Sequence, residues 1–584
     1  MRTVTALLAL TSVVAVGRTT PPQPIASRPI FRGLAVKVVR SRSEAAQDLN
    51  ELAKDAAARA GSGQPWRVRS VQTSDGTFRL APPVTESSGE EAITPAEGWQ
   101  RAYALRADTR FESVEPAFAV DGARGETTEL EECVAAPRAP ESGAAAAPIP
   151  GATQDPEWSL SADHGANVLE AWKKFQGAQP GHDVWVAHPD TGYRQHPEVW
   201  GMPDSPIQPQ LGWDFVDDDN DPTDAFESGM LRWPGHGTKT SSVIISPRGR
   251  QLPGGAIGGI SGVAPGTKLI PLRVANGVVL FDQTNLASAI RAAATAPGTL
   301  VKHKVDVISI SLGGPPSRAL QDAVELAERN GVIVIAAAGN NVKTVVWPAR
   351  YPNVIALAAS NFDNRVWSGS SGGSMVAIGA PGESVWIANP KMEGDSAVNC
   401  LSMSSGTSFA TATTAGIAAL WVSLHRTEPR FQALAKAGQL TSALRGILSA
   451  TKRPGTNWDT KKYGPGIVDA AAVLAAPLPA PTESAAATRT PCDADLEALE
   501  SLFEGVTDRR ARVAALFGIT RAALCQRVSQ LGDEVAFHYA TNEGVADGLD
   551  RISRRAAPTA ADLTAARYAL RAVGSENLRN ALPK

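Results

Sequence analysis

The sequence predicts an α/β protein whose central domain is a doubly wound, mostly parallel sheet. Between residues 155 and 476, short apolar runs alternate with segments of helical spacing, and continuously apolar strands are typical of a sheet buried on both faces. Two stretches rich in alanine and proline, 134–154 and 477–490, predict exposed linkers on either side. The length of 584 residues also exceeds what one hydrophobic core supports. We therefore expect a small α+β domain before the sheet and an all-α domain after it.

The N-terminus has the outline of a short secretory signal over residues 1–17. Arg2 supplies a positive charge, residues 4–16 are mostly apolar, and Ala15 and Gly17 are small residues of the kind found at a cleavage site. The pattern predicts export, either secretion or transfer to the periplasm; the alternative is a buried N-terminal helix. No apolar run reaches the roughly 18–20 residues that span a bilayer, so no stable membrane span is expected.

Charge and cysteine content exclude several classes of protein. The 56 basic and 59 acidic side chains give a formal charge of −3, which argues against nucleic-acid binding driven by bulk charge. Four cysteines are too few for a disulfide scaffold, and they lack the Cys-x-x-Cys spacing of a zinc site. In an exported protein we expect a bridge between Cys492 and Cys525, because both lie in one short region.

The first domain, residues 18–133, is predicted to contain three strands and two helices. The strands are expected at 35–39, 66–71 and 111–120, and the helices at 44–60 and 95–107. Thr94 and Pro95 predict the start of the second helix, because threonine caps helix N-termini and proline fits the first turn.

The central domain, residues 155–476, contains six predicted strands and four predicted helices. The strands are expected at 184–187, 268–274, 305–312, 332–338, 354–359 and 375–379. The helices are expected at 284–295, 317–329, 408–424 and 432–448. Sites in such sheets lie at the carboxyl ends of the strands.

The last domain, residues 491–584, has helical spacing throughout. Helices are expected at 494–503, 508–517, 521–531 and 560–573. Residues 512–528 resemble a helix-turn-helix, with Gly518 as a C-cap and Thr520 as an N-cap. Two packed helices explain the same pattern in an exported protein, so we expect no nucleic-acid partner.

Three short motifs place the residue types of a nucleophilic catalyst at the ends of predicted elements. Asp190 ends a buried strand in Asp-Thr-Gly, His236 stands in Gly-His-Gly-Thr, and Ser408 follows Gly-Thr at the start of a helix. A serine hydroxyl needs an imidazole to take its proton, and the imidazole needs a buried carboxylate that fixes its tautomer and stabilises its charge. The order Asp, His, Ser is one of three chain orders in which this triad occurs.

Two neighbouring segments fit the same chemistry. Asn340 follows the strand at 332–338, where a side-chain amide is suited to donate to the oxyanion of a tetrahedral intermediate. Ser311, Leu312 and Gly313 close the preceding strand and predict an edge against which an extended peptide pairs.

The region from 158 to 470 resembles the catalytic domain of the subtilisin-like serine peptidases, the subtilase family (peptidase S8). Besides the motifs above, the resemblance is carried by Trp-Ser-Leu at 158–160, Gly-Val-Ala-Pro at 262–265, Trp-Pro-Ala-Arg-Tyr-Pro-Asn-Val at 347–354, Ala-Pro-Gly at 380–382 and Tyr-Gly-Pro-Gly-Ile-Val-Asp-Ala at 463–470. It implies a subtilisin-like fold, a triad of Asp190, His236 and Ser408, and Asn340 as the oxyanion donor. It further implies a substrate cleft lined by Ser311, Leu312, Gly313, Ala338 and Gly339.

The resemblance also implies that the first domain is a propeptide, which assists folding and inhibits the enzyme until it is cleaved. The segment nearest to the family pattern there is Val-Glu-Pro at 114–116. Three positions depart from the usual pattern. Ala412 stands in place of a proline, Lys-Thr-Ser at 239–241 replaces a Val-Ala pair, and His188 with Pro189 replaces two apolar residues. None of these removes a reacting group.

Other motifs in the chain allow rival interpretations. Gly-Ser-Ser-Gly-Gly at 369–373 fits the nucleophile elbow of lipases, but a strand is predicted after it instead of the required helix, so a surface loop is expected. His182, His188 and His196 surround Asp190 without zinc spacing, so no metal site is expected there. The acidic run at 217–224 suits a structural calcium ion, although a solvated acidic loop is the simpler explanation.

The sequence therefore predicts an exported serine endopeptidase that is made as a precursor and hydrolyses peptide bonds through an acyl-enzyme. Its partners are expected to be a protein or peptide substrate and its own propeptide, and the chemistry requires no cofactor. The alternative is a non-catalytic or dedicated-partner binding module on the same fold. The presence of all four candidate residues favours the enzyme, since a binding module has no need to keep them.

Overall fold

The N-terminal part of the chain forms a four-stranded antiparallel sheet with two helices. This computed structural model describes residues 29–38, 46–60, 66–72, 76–82, 93–120, 155–200, 205–226, 233–247, 250–251, 257–342, 344–393, 396–482, 491–503, 506–555 and 557–583. The N-terminal domain (29–120) contains β1 (Pro29–Val38), α1 (Ala46–Ala60), β2 (Arg67–Gln72), β3 (Thr77–Ala81), α2 (Pro95–Arg106) and β4 (Phe111–Val120). Its strand order is β2-β3-β1-β4.

Helix α2 begins where the sequence predicts. Thr94 accepts a hydrogen bond from the Glu97 backbone N–H, and the Glu97 carboxylate accepts one from the Thr94 backbone N–H, so a complete capping box is present. Strand β3 was not predicted, because five residues carry too little periodicity to mark a strand.

The central domain (155–482) is built on a seven-stranded sheet. The sheet strands are β5 (Trp185–Asp190), β6 (Trp213–Asp214), β9 (Lys268–Arg273), β10 (Val307–Ile310), β11 (Ile333–Ala337), β12 (Ile355–Ser360) and β13 (Val376–Pro381). Their order in the sheet is β13-β12-β11-β10-β5-β9-β6, and all neighbouring strands are parallel. Two small antiparallel pairs are β7 (Arg250–Gln251) with β8 (Ile257–Gly258), and β14 (Val385–Glu393) with β15 (Ser396–Ser404). The predicted α/β class and parallel sheet are confirmed.

Helices cover both faces of this sheet. They are α3 (Val168–Ala171), α4 (His236–Ile245), α5 (Thr284–Ala294), α6 (Arg318–Arg329), α7 (Thr407–His425), α8 (Pro429–Lys436), α9 (Leu440–Thr451) and α10 (Ala470–Ala475). In β11, Ile333 and Ile335 share a buried cluster with α7, whereas Val334 and Ala336 share another with α5 and α6. Burial on both faces explains why the strands read as continuous apolar runs.

The structure differs from the sequence-based predictions for the central domain in two details. A single helix was expected over 432–448, but α8 and α9 are separate because Gly438 between them has a φ of +67°, a conformation that glycine adopts without steric cost. The hairpin β14–β15 was not predicted, since Pro390 and scattered polar residues break the alternation that marks a strand.

The C-terminal domain (491–583) consists of helices. They are α11 (Pro491–Ser501), α12 (Arg509–Phe517), α13 (Leu524–Arg527), α14 (Gly532–Thr541), α15 (Glu543–Arg554), α16 (Ala560–Val573) and α17 (Glu576–Ala581). The expected helix over 521–531 is wrong, because two 3₁₀ turns flank the four-residue α13 there. Gly518 ends α12 with a φ of +64°, but Thr520 makes no capping hydrogen bond. The second helix of a helix-turn-helix therefore does not form.

Several sequence-based expectations fall outside the described residues. They concern the signal segment 1–17, the linker 134–154, and most of the linker 477–490. Cys400 and Cys525 are disulfide-bonded; the side chain of Cys492 is not described, so its predicted bridge to Cys525 stays a prediction. In the described part of the chain, α7 is the one helix long and apolar enough to cross a membrane, and 89% of its apolar window is buried inside the protein.

Candidate active site

The register of the parallel strands gathers the candidate residues at one edge of the sheet. Ile308 of β10 pairs with Ala187 of β5, so three residues further on Ser311 lies level with Asp190. On the other side of β10, Ile310 pairs with Ala336 of β11, and Asn340 follows soon after that strand ends. Because all three strands are parallel, their carboxyl ends meet at the same edge.

Asp190 and His236 form a buried pair at this edge. His236 Nδ1 lies 2.7 Å from Asp190 Oδ1, which also accepts a hydrogen bond of 2.7 Å from the Thr191 backbone N–H. Asp190 is fully buried. Burial by itself would raise the pKa of Asp190, but the charge of His236 and the hydrogen bond to it lower that pKa below its ordinary value. The aspartate therefore remains a carboxylate that orients the imidazole.

A second buried carboxylate holds the turn that carries His236. Asp224 Oδ2 accepts hydrogen bonds from Thr191 Oγ1 at 2.6 Å and from the Gly235 backbone N–H at 2.9 Å. Gly235 has a φ of +76° and directly precedes His236, the first residue of α4. Asp224 belongs to the acidic run at 217–224, and the sequence does not predict this contact because nothing in the run indicates which carboxylate turns inward.

Ser408 lies at the N-terminus of α7, where Gly406 is the N-cap residue. Its hydroxyl donates to the Ser311 carbonyl at 3.2 Å, and the Ser311 hydroxyl donates to the Ser408 carbonyl at 3.1 Å. The structure has no hydrogen bond between Ser408 and His236. In the described part of the chain, the hydroxyl of Ser408 is thus bonded to the backbone of Ser311.

Asn340 and the Ser408 backbone border one empty position. Asn340 Oδ1 accepts hydrogen bonds from Thr407 N at 2.9 Å and Thr407 Oγ1 at 2.8 Å, which leaves the amide nitrogen available as a donor. A Cβ on Gly406 would sit 3.3 Å from Asn340 Nδ2 and 3.7 Å from the Ser408 backbone nitrogen. The N–H groups of a first helical turn have no partner within the helix. The glycine therefore leaves open a position that two hydrogen-bond donors flank, as an oxyanion hole requires.

The predicted substrate edge is only partly free. The Gly313 N–H donates to Val278 O at 3.0 Å, and the Gly313 carbonyl accepts from Leu280 N at 2.8 Å. Gly313 is therefore already paired on this edge, contrary to the expectation that it pairs with a peptide. Leu312 makes no backbone hydrogen bond with any residue that the structure describes, so an extended peptide can pair there.

Two other predicted cleft residues are also held by internal bonds. The Ala338 N–H donates to Leu357 O at 3.1 Å, and the Gly339 N–H donates to Thr407 Oγ1 at 3.2 Å. Both residues therefore fix the path of the chain into Asn340, and they have no backbone N–H left for a substrate.

Comparison with known proteins agrees with this geometry. Residues 181–466 match the family model described as the subtilase family, peptidase S8. Thermitase from Thermoactinomyces vulgaris is 30% identical to this chain over 307 residues, which are 52% of this chain and 94% of thermitase. This chain belongs to the subtilase family. It is a serine endopeptidase by that membership, and its substrates are proteins or peptides.

Two further relatives show how far the likeness extends. The major intracellular serine protease of Bacillus subtilis (strain 168) is 31% identical over 232 residues, 38% of this chain and 65% of that protein. The crystal structure of fervidolysin from Fervidobacterium pennivorans, titled a keratinolytic enzyme related to subtilisin, matches with a TM-score of 0.51 at 20% identity. That match covers 78% of this chain and 63% of fervidolysin, and it shows a shared fold.

Two of the positions where this subtilase departs from the family pattern contact each other. His188 lies on β5, 1% exposed, and its Nε2 is 3.1 Å from Thr240 Oγ1 on α4. The same Nε2 lies 4.0 Å from Asp190 Oδ2. Burial lowers the pKa of His188 to about 4. The third position, Ala412, is fully buried within α7, which continues past it without a break.

Ser371, the candidate nucleophile of the Gly-Ser-Ser-Gly-Gly motif at 369–373, is held by hydrogen bonds within the fold of this subtilase. The Ser371 hydroxyl donates to Val342 O at 3.0 Å, and the Asn341 N–H donates to Gly369 O at 2.8 Å. Strand β13 follows instead of a helix, so no nucleophile elbow forms. The absence of an elbow agrees with the prediction, but the expectation of a surface loop is wrong, since Ser371 is 2% exposed. The segment supports the chain around Asn340.

Among the described residues of this subtilase, no three His, Cys, Asp or Glu side chains are grouped so that they could hold a metal ion. Buried His196 interacts with Cys400 O through Nε2, at 3.1 Å. In the acidic run, Asp217 pairs with Arg273, and Asp221 Oδ1 accepts from the Thr223 N–H and hydroxyl. The structure thus gives these carboxylates protein partners.

Proposed function

We propose that this subtilase hydrolyses peptide bonds with Ser408 as nucleophile, His236 as general base and Asp190 as the carboxylate that orients it. The observation that carries the proposal is the open position beside Gly406, flanked by Asn340 Nδ2 and the Ser408 N–H. Such a pair of donors is useful only where negative charge develops on an oxygen next to the nucleophile.

The reaction proceeds in two halves. Ser408 Oγ attacks the peptide carbonyl carbon while His236 Nε2 takes its proton, and the carbonyl oxygen becomes an oxyanion held by Asn340 and the Ser408 N–H. His236 then gives the proton to the leaving amine, which departs and leaves an acyl-enzyme. Water repeats the cycle with His236 as base and releases the acid product.

We also propose that the N-terminal domain is an inhibitory propeptide. It is docked on helices α5 and α6 of the central domain. Glu115 of β4 accepts hydrogen bonds from Ser317 Oγ at 2.6 Å and the Ala319 N–H at 3.0 Å, both at the N-terminus of α6. A carboxylate is favoured there by the helix dipole. Arg79 of β3 pairs with Asp282 near the start of α5, at 3.1 Å. Cleavage in the linker 134–154 would then break the covalent connection between inhibitor and enzyme.

Export is proposed on two grounds, the signal-like segment at 1–17 and the disulfide bonds of Cys400 and Cys525, which are typical of oxidising compartments. One relative is named as an intracellular protease, so the compartment must be tested directly. N-terminal sequencing of the protein recovered from culture medium, periplasm and cytoplasm would show both where it resides and where it is cut. Recovery of the full chain from the cytoplasm alone would contradict export.

Active-site labelling tests the catalytic assignment against the binding-module alternative. Wild-type, Ser408→Ala and Ser371→Ala proteins would be treated with a fluorophosphonate after removal of the N-terminal domain and compared on a peptide library. We expect labelling and cleavage in wild type and Ser371→Ala, and neither in Ser408→Ala. Absence of labelling in correctly folded wild type would favour the binding module; labelling that persists in Ser408→Ala would show that another residue is the nucleophile.

A further inference from the structure

The N-terminal domain touches the C-terminal domain as well as the central domain. One side of it meets α5 and α6, as described for Glu115 and Arg79. Helix α2 and the end of β4 instead pack against α14 of the C-terminal domain. The proposed inhibitor thus has two separate contact surfaces, and only one of them belongs to the domain that carries the candidate active site.

A buried carboxylate is shared across the second contact. Glu534 of α14 is fully buried, and its Oε2 accepts a hydrogen bond of 2.9 Å from the hydroxyl of Tyr103 on α2. Its other partners belong to the C-terminal domain. Ser575 N and Ser575 Oγ donate at 2.6 and 2.9 Å, and His538 Nε2 lies 3.6 Å away. Burial, and next the charge of Glu534, raise the pKa of Tyr103 well above its ordinary value, so the phenol keeps the proton that it donates.

Apolar and charged contacts surround this hydrogen bond. The ring of Phe118 at the end of β4 stacks on Phe537 of α14 with centroids 4.4 Å apart, and Trp99 of α2 meets the same ring edge-on at 6.1 Å. Phe537 is 2% exposed. Arg106 at the end of α2 lies 3.9 Å from Asp533 and donates to Gln530 O at 3.2 Å. Removal of the N-terminal domain would expose the aromatic rings and leave Glu534 without its donor from Tyr103.

The C-terminal domain is in turn attached to the central domain. Arg350 Nε donates to Ser501 O at the end of α11 at 3.2 Å, and Gln321 Nε2 of α6 donates to Glu497 of α11 at 2.6 Å. The second anchor lies on the helix that Glu115 caps, because Gln321 belongs to the first turn of α6. The C-terminal domain can therefore hold the N-terminal domain in place without a covalent link between the two.

We propose that the C-terminal helical domain is a binding site for the N-terminal domain, and that it retains this domain on the enzyme after the linker 134–154 has been cut. The proposal rests on the inhibitory function proposed above. It implies that cleavage of the linker alone does not activate the enzyme. Release requires that Glu534 lose its bond to Tyr103 and that the Phe118–Phe537 stack open. Two costs oppose that step: the buried carboxylate of Glu534 loses a hydrogen-bond donor, and the aromatic surface of the stack becomes exposed to water.

The test uses full-length Ser408→Ala protein with the recognition sequence of an unrelated, specific protease placed in the linker 134–154. After cutting, the N-terminal fragment carries a fluorophore, and its release on dilution is followed by gel filtration and fluorescence anisotropy. The variants are Tyr103→Phe and Phe537→Ala, and the control is Tyr568→Phe, which makes the same chemical change at a side chain 77% exposed. Cys400 and Cys525 are disulfide-bonded, so reductant is present throughout to ensure that no disulfide bond holds the two fragments together.

We expect the cut parent protein and Tyr568→Phe to elute as one complex. Release should be about tenfold faster in Tyr103→Phe, which loses a hydrogen bond to a charged group, and about a hundredfold faster in Phe537→Ala, which loses buried aromatic surface. Unfolding curves of the uncut variants show whether the C-terminal domain still folds. If Phe537→Ala does not fold, the release rate of Tyr103→Phe, which deletes only one oxygen atom, decides the test. Equal release rates for the parent and both variants would overturn the proposal.

A parallel measurement with the active enzyme separates this inference from the proposed function. If the parent fragment is retained and Phe537→Ala releases it faster, but peptides are cleaved while it is bound, binding by the C-terminal domain stands and inhibition by the N-terminal domain is wrong. If the fragment is released quickly but inhibits when added back in excess, inhibition stands and retention by the C-terminal domain is wrong.

Discussion

Acid should destabilise the folded protein through His188, and the size of the effect follows from its burial. His188 is 1% exposed, and burial lowers its pKa from the ordinary 6.5 to about 4. Thr240 Oγ1 donates to the His236 carbonyl at 3.0 Å, so at 3.1 Å it accepts from the Nε2–H group of His188. The nearby Asp190 carboxylate favours the charged ring, and the nearby His236 opposes it.

The direction in which stability changes with pH depends on whether the folded or the unfolded state binds more protons. Between pH 6.5 and about 4 the histidine of the unfolded chain is protonated while the folded one is not, so the unfolded state takes up more protons and stability falls as the pH falls. The gap of about 2.5 pH units between the two pKa values corresponds to a loss on the order of 3 kcal/mol. Above pH 6.5 the titration of His188 has no effect on the free energy of unfolding.

The perturbation is His188→Leu in a Ser408→Ala background, which prevents self-digestion. Urea unfolding followed by tryptophan fluorescence at pH 7 and pH 4 gives the free energy of unfolding at each pH. The parent protein should lose about 3 kcal/mol more than His188→Leu between the two, since all other titrating groups are common to both. His182→Leu, at a partly exposed histidine, is the control and should behave like the parent. Equal losses in parent and His188→Leu would refute the reasoning.

Four further outcomes follow from the site. Asn340→Ala should lower kcat by about 10²–10³ with little change in KM, and a main effect on KM would contradict its function at the oxyanion. Thr407→Val, which removes one of two donors to Asn340 Oδ1, should lower kcat by about tenfold, and an unchanged kcat would show that the backbone N–H alone orients the amide. Glu115→Gln should speed the loss of inhibition after linker cleavage, measured as the lag before activity, because a neutral amide caps α6 less well. EDTA should leave the melting temperature unchanged, since Asp217 and Asp221 of the acidic run bond within the protein; a melting temperature that rises on addition of calcium would show a structural ion.

The sequence by itself predicts the elements and residues that are specified by neighbours close in the chain. Helix α2 starts at its capping box because Thr94 and Glu97 are three residues apart, and the apolar runs of β10 and β11 follow from burial on both faces. Asp190, His236, Asn340 and Ser408 were identified because each stands in a short motif at the end of an element. Their assignment to catalysis remains a proposal that rests on the geometry described here.

Tertiary structure decided what depends on residues far apart in the chain. Thr407 orients Asn340 from 67 positions away, Asp224 turns inward to hold the His236 turn, and Gly313 pairs with the segment 278–280 instead of a free edge. The contact between Glu534 and Tyr103 joins residues 431 positions apart. Periodicity and capping act over one or two helical turns, whereas these contacts form only when separate elements pack, so no local pattern in the sequence carries them.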